Sequence, residues 1–271
     1  PCVGNREYDL LAKEEMLTQL KWASDQGIAA VTVAGAFLME LVAHHLPHLK
    51  VIVSSSAFVD SLEKTRQFAT LGADAVTLHP DANRSMPLLR QLRDSSPCRI
   101  RLVVNSGCAF QCVHGQFHAL ANGHFAADAP PADAWPGDDE KETGAGGCNA
   151  DFTGDPEAFV RMRWIRPEDL GAYSALGFSD FVIAGQGRPT AWIASAIAAF
   201  RRGLHEGDLL PLLDGGVRLM GLAGGPHSLH TGGMPNLLMA FEDVNCRLGC
   251  DHCSRCTDLA TIAVLGREEA R

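Results

Sequence analysis

The chain has 271 residues, of which 46% are hydrophobic and 20% charged, with a formal net charge of −9. That balance describes an ordinary globule with a substantial core, and its acidic total weighs against nucleic acid as a partner, because phosphate binding needs a basic patch. No apolar run reaches the length that spans a bilayer and nothing resembles an export signal, so the reading is a cytoplasmic protein.

Taken in order, residues 13–26 carry Met16, Leu17, Leu20 and Ala23 at amphipathic spacing, which predicts a helix stopped by Gly27. A short buried strand follows over 29–33. The alternation repeats: helix 36–46 and strand 51–54, helix 61–71 and strand 75–78, helix 86–92 and strand 100–104. Ser61 supplies the start signal of the third helix and Gly72 its stop. After Cys112 the rhythm breaks. Residues 114–121 offer a helical turn or two, and about 122–150 are rich in Ala, Pro, Gly and acid, the composition of an exposed, mobile insertion. The alternation resumes with strand 161–165, a helix from Pro167, strand 180–184 and helix 190–201.

Six strands in βα alternation predict a parallel sheet, open or closed into a barrel. A closed eight-stranded barrel lacks two strands, which would precede Pro1; the opening Pro1-Cys2-Val3 has no initiator Met and is read as an internal position of a longer protein. The expected organisation is an incomplete (β/α) barrel over 1–213, a Gly-rich linker over 214–234 and a Cys-rich tail over 235–271. Gly221 to Gly233 can also be read as a phosphate cradle, although no strand-to-helix setting follows it.

Nine cysteines without an export signal point to metal ligands more than to disulfides. Cys246, Cys250, Cys253 and Cys256 place four thiols within eleven residues. Four-cysteine zinc sites usually use two separated Cys-x2-Cys knuckles, whereas this compact run is closer to bacterial ferredoxin spacing for a [4Fe–4S] cluster. Zinc stays open for this segment, as do unligated thiols. The Cys-x3-Cys-x2-Cys portion also matches radical S-adenosylmethionine spacing, but no barrel follows it.

Cys108 and Cys112 lie just past the strand that ends at Asn105-Ser106-Gly107, where α/β folds place their chemistry. With Cys148 beyond the insertion and Cys2 at another strand end, they converge on one mouth if the sheet closes; the alternative is that Cys2 and Cys148 are incidental. Cys98, on the opposite rim, is read as structural. His114 and His118 share one face if their segment is helical, as metal ligands or as surface residues. His44, His45 and His48 sit at a helix end, where the dipole favours them. Arg166 and Arg188 are loop arginines able to hold a carboxylate. Ser54, Ser55 and Ser56 follow a strand without a base tied to them.

Three segments, Asn105-Ser-Gly-Cys108-x3-Cys112, Trp164-Ile-Arg-Pro-Glu-Asp-Leu170 and Phe181-Val-Ile-Ala-Gly-Gln-Gly-Arg188, resemble the U32 collagenase-like peptidase family over residues 1–213. The resemblance implies a TIM-like barrel lacking its first strands. It implies either peptidase activity or, in the iron–sulfur branch, oxygen-independent hydroxylation of a quinone precursor or transfer RNA. By position, Cys108, Cys112 and Cys148 resemble ligands of a [4Fe–4S] cluster, with Cys2 as fourth ligand and a tail cysteine as rival. Arg188 stands in Val182-Ile-Ala-Gly-Gln-Gly-Arg188, which departs from the family's Lys-Ile-x-Gly-Arg.

The leading expectation is therefore an iron–sulfur hydroxylase whose substrate contacts are Asn105, His118, Arg166 and Arg188. A small-molecule substrate is favoured over nucleic acid, with a protein partner or electron donor at the tail and no membrane. A peptidase is the second reading. A non-catalytic metal-binding partner protein is the third.

Overall fold

The computed structural model describes residues 10–116, 119, 155–185, 188–214, 227–246, 249–251 and 253–266. Five strands form one parallel sheet in the order β1-β2-β3-β4-β5: Ala30–Val33, Lys50–Val53, Ala73–Thr77, Arg99–Val103 and Asp180–Val182. A second, two-stranded sheet pairs β6 (His227–Leu229) antiparallel with β7 (Val264–Gly266). The mixed α/β class read from the sequence is present. No helix of the described residues is long and apolar enough to cross a membrane.

The chain divides into two compact units. The first holds described residues 10–79, 95–101, 113–116 and 119. Its helices α1 (Leu10–Asp25), α2 (Ala36–His45) and α3 (Leu62–Thr70) alternate with β1 to β3. Helix boundaries here follow from local chemistry at each end. Ser61 caps α3 by accepting the Lys64 N–H at 3.2 Å, and Gly72 turns the chain out of it at a φ of 96°. The ladder between β2 and β3 skips one residue, Asp74, whose carboxylate accepts the Val51 N–H at 2.8 Å. A side chain thus replaces the lost ladder bond, so no backbone donor is orphaned at the bulge. Met39, Val42, Val53, Ala75, Val76 and Leu78 are fully buried here.

The second unit holds residues 80–94, 102–112 and the described residues from 155 onward. It contains α4 (Met86–Ser95, all but its last residue), α5 (Pro156–Arg161), α6 (Leu170–Ala175), β5, α7 (Thr190–Arg202), α8 (Leu237–Ala240) and α9 (Arg255–Ala263). One core cluster gathers Phe159, Trp164, Leu209, Leu229, Leu237, Phe241 and Leu259.

The expected strand over 161–165 is not one. Asp155 caps a helix by accepting the Glu157 N–H at 3.0 Å, Pro156 occupies its first turn, and that helix runs through Arg161. Past it the backbone carbonyls are taken by side chains. Asn83 donates to the Arg163 carbonyl at 2.7 Å and Arg84 to the Trp164 carbonyl at 3.0 Å. The Ile165 N–H bonds the Val104 carbonyl, just past the end of β4, at 2.7 Å. The strand expected over 180–184 also stops early, because the Ala184 N–H and carbonyl both bond to the Asn105 side chain.

Residues 227–229, within the segment read as linker, form β6. The C-terminal helix α9 sends Leu259, Ala260 and Ala263 into the core cluster and packs on α5. Among the described residues the cysteine-rich segment is therefore built into the second unit rather than hung from it. Gly185, just past β5, admits no side chain: a Cβ there would lie 2.5 Å from the Trp192 ring.

Candidate metal centre

All four C-terminal cysteines line one pocket of about 190 Å³, together with Arg163 and Phe241. Cys250 and Cys253 are exposed, while Cys246 and Cys256 are half-buried and lean on the core cluster. Cys256 opens α9, and the Cys253 N–H closes a tight turn on the Cys250 carbonyl at 3.0 Å. Burial pushes the Cys256 thiol up; Arg163 and Arg84 pull it down, and Cys246 and Cys250 push it up again. The same thiol thus feels two cations and two neighbouring thiols.

Two arginines, Arg161 and Arg163, share the wall of this pocket with two carboxylates, Glu157 and Asp251. Arg163 is only 2% exposed. Its guanidinium lies 3.8 Å from the Phe110 ring centroid and 5.8 Å from that of Phe241, and its buried Nη1 has no hydrogen-bond partner. Arg84, equally buried, donates to the Val160 carbonyl at 2.6 Å and sits 4.6 Å from the Trp164 ring. Burial, then the charge of Arg163, pushes Arg84 down to about 10. Two buried cations of which one lacks a partner set up a positive potential that favours thiolates and other anions.

The donor chemistry of four thiols and an orphaned N–H suits an anionic metal–thiolate centre. Among the described residues, however, no group of three or more His, Cys, Asp or Glu is assembled to hold a metal ion as it stands. Loading would require the thiols to draw closer together.

Cys108 and Cys112 flank a pinned loop. The Gly107 N–H donates to the Asp214 carbonyl at 2.9 Å, and the Asp214 N–H to the Asn105 carbonyl at 2.7 Å. Gln111 takes a left-handed φ of 52°, and its N–H donates to Asp81 Oδ2 at 3.1 Å. Ala109, between the two thiols, packs on the same cluster as Cys246 and Cys256. Phe110 covers Arg163. Cys2, Cys148 and His118 lie outside the described residues.

The remaining expected contacts are occupied internally. Asn105 is buried, with Nδ2 donating to the carbonyls of Ala184 and Leu212 at 2.8 and 3.2 Å and Oδ1 accepting the Ala184 N–H at 2.7 Å. Arg166 spends all five donors, two on Asp169 and three on the carbonyls of Thr231, Met234 and Pro235. Neither has a donor left for a substrate. Arg188 pairs with Asp214 at 3.0 Å and lies 5.2 Å from the Trp192 ring centroid. Ser54 caps a short turn by accepting the Ser56 N–H at 3.2 Å, which accounts for the serine run.

Sequence reasoning missed Asn83, Arg84, Arg163 and Tyr173. One signal was readable: Arg163 stands between the apolar Met162 and Trp164, where an apolar stretch hides a charge.

These features define a parallel α/β protein with a thiol-lined, cation-backed pocket. No family model matches the chain. It is 28% identical over 206 residues to MJ1657 of Methanocaldococcus jannaschii, described as an uncharacterized protease, covering 73% of this chain and 58% of that protein. The solved U32 peptidase Mk0906 is 26% identical, with a TM-score of 0.43, over 49% of this chain and 53% of that one. Together with the three motif segments, the long sequence match supports a relationship to the U32 peptidases. The chain spans about 58% of the length of the curated relative it matches.

Proposed function

We propose that the chain is an iron–sulfur enzyme of the U32 family, of the oxygen-independent hydroxylase type, acting on a small molecule or RNA. The observation that carries this reading is the gathering of thiols around one core: the Cys108–Cys112 loop, through Ala109, and the C-terminal cysteines, through Cys246 and Cys256, pack on the same cluster. A peptidase has no need of such a concentration.

In this reading Cys108 and Cys112, with Cys148 and Cys2, hold one [4Fe–4S] cluster. Cys246, Cys250, Cys253 and Cys256 hold a second centre. The clusters supply electron transfer. The chain's own contribution is positional: the Asp81 and Asp214 bonds hold the first loop, and Arg163 supplies positive potential to the second. The five-strand parallel sheet is proposed as part of a TIM-like barrel.

Protein purified without oxygen should carry iron and sulfide and absorb visible light. Colourless protein free of both overturns the reading. The description of MJ1657 as a protease favours a second reading, a peptidase. Cleavage of gelatin by contaminant-free protein that carries no iron would establish it in place of the first.

A further inference from the structure

Arg163 is a buried guanidinium without an anion. It is 2% exposed, its Nη1 has no hydrogen-bond partner, and no carboxylate among the described residues forms an ion pair with it. Leaving such a group unpaired is costly in a protein interior. Its aromatic neighbours, Phe110 and Phe241, offset part of that cost. As acceptors for the N–H they are weak. Arg84 beside it adds a second positive charge and spends its Nη1 and Nη2 donors on the carbonyls of Val160 and Trp164.

The surroundings of Arg163 hold few anions. Glu157 is on the same pocket wall, but it bonds Arg161 at 2.7 Å and Thr257 at 2.8 Å. Asp169 is fully engaged by Arg166. What remains at the pocket is the carboxylate of Asp251, which is exposed to water, and the thiols of Cys246, Cys250, Cys253 and Cys256. As thiols they are neutral. Four thiolates on a [4Fe–4S] core, or on one zinc ion, carry a net charge of about −2, counting ligand and metal charges.

We propose that Arg163 is the counter-charge and hydrogen-bond donor of an anionic metal–thiolate centre at Cys246, Cys250, Cys253 and Cys256. This inference rests on the reading of those cysteines as ligands. Arg163 binds no metal; it is a positioning residue, and its Nη1 N–H is directed to a thiolate or cluster sulfur. Its cation makes the added negative charge of reduction easier to accommodate, so it raises the reduction potential of the centre. Phe110 stacks on the guanidinium at 3.8 Å. The loop that carries Cys108 and Cys112 thereby helps to set the properties of the C-terminal centre.

The test uses the full chain with Cys108→Ser and Cys112→Ser, so that only the C-terminal centre is read, reconstituted anaerobically with ferrous iron and sulfide. Bound iron, midpoint potential and the rate of iron loss to a chelator are measured for this background and for added Arg163→Met, Arg163→Lys, Arg163→Gln or the pair Cys250→Ser and Cys253→Ser. The background should load, and the Cys250/Cys253 pair should abolish loading. Arg163→Met should shift the potential to a more negative value and weaken iron retention by about 10- to 100-fold. Arg163→Lys should recover part of both losses. Equal potential and retention in a folded Arg163→Met protein overturn the role of Arg163 while leaving the ligand reading intact. A background that takes no iron, or a Cys250/Cys253 variant that loads as well as its parent, overturns both. Should Arg163→Met fail to fold, Arg163→Gln decides alone: it keeps an N–H donor and loses the charge, so unchanged potential and retention overturn the counter-charge.

Discussion

Arg166 and Asp169 meet in a two-point pair, Nε to Oδ2 at 2.9 Å and Nη2 to Oδ1 at 2.7 Å, with side-chain exposures of only 6% and 1%. The remaining donors of the same guanidinium tie down three carbonyls between Thr231 and Pro235. An arginine placed for substrate binding would keep an N–H free. This one organises a chain crossing.

Removing Arg166 strands a buried carboxylate and three acceptors. Arg166→Ala should therefore cost roughly 3–5 kcal/mol in urea unfolding. Arg188→Ala, whose pair with Asp214 is less enclosed, should cost no more than about 1 kcal/mol. Equal costs for the two would contradict the assignment of Arg166 to structure.

Asn105 joins the ends of β4 and β5 and the turn at Leu212 through one amide. Asn105→Ala should lose about 1–3 kcal/mol by leaving buried backbone groups without partners. Asn105→Asp keeps an acceptor for Ala184 but turns a carboxylate on two carbonyl oxygens. Its deficit should shrink at low pH, where the protonated carboxyl donates again, and a pH series of unfolding curves reads this directly.

Tyr173 is fully buried and donates its hydroxyl to the Asn83 carbonyl at 2.7 Å. Burial pushes this phenol well above its ordinary 10.0. The native state then keeps a proton that the unfolded chain releases, so this contribution is whole below pH 10 and is lost as pH rises beyond it. Tyr173→Phe should be less stable near neutrality by about 1 kcal/mol, the worth of one hydrogen bond, yet show a flatter decline above pH 10. Arg84 is common to both proteins, so the difference in slope isolates the phenol.

A chain ending at Asn245 lacks α9, β7 and the cysteines together. Because Leu259, Ala260 and Ala263 belong to the core cluster, that truncation should unfold the second unit rather than leave it intact without a tail. Loss of the near-ultraviolet signal of Trp164 in circular dichroism is the expected readout. A cooperative near-native melt from the shortened chain would contradict this.

Much of the first unit was legible because each element is decided locally. The Ser61 cap and the Gly27 and Gly72 stops mark their helix ends, and the short β-branched runs became β1 and β2 with small changes at the ends. The second unit was less so, since its backbone is satisfied from afar. Asn83 and Arg84 reach residues 160–164 across about eighty positions, and no local pattern announces that. An apolar alternation there looked like a strand, while the Asp155-Pro156 start that made a helix of it was passed over. At the candidate site, the C-terminal cysteines declared themselves by spacing. Arg163 is visible only once the fold surrounds it with rings.

The crowding at Gly185 has a consequence for variation in this region. The indole that blocks a Cβ there is itself anchored, donating its Nε1 to the Pro211 carbonyl at 2.6 Å. A larger residue at 185 therefore cannot be absorbed by one rotamer change. It must come with a smaller residue at 192, and that exchange would release the turn over Leu210–Leu212 whose last carbonyl Asn105 holds. Positions 185, 192 and 105 should drift together or not at all.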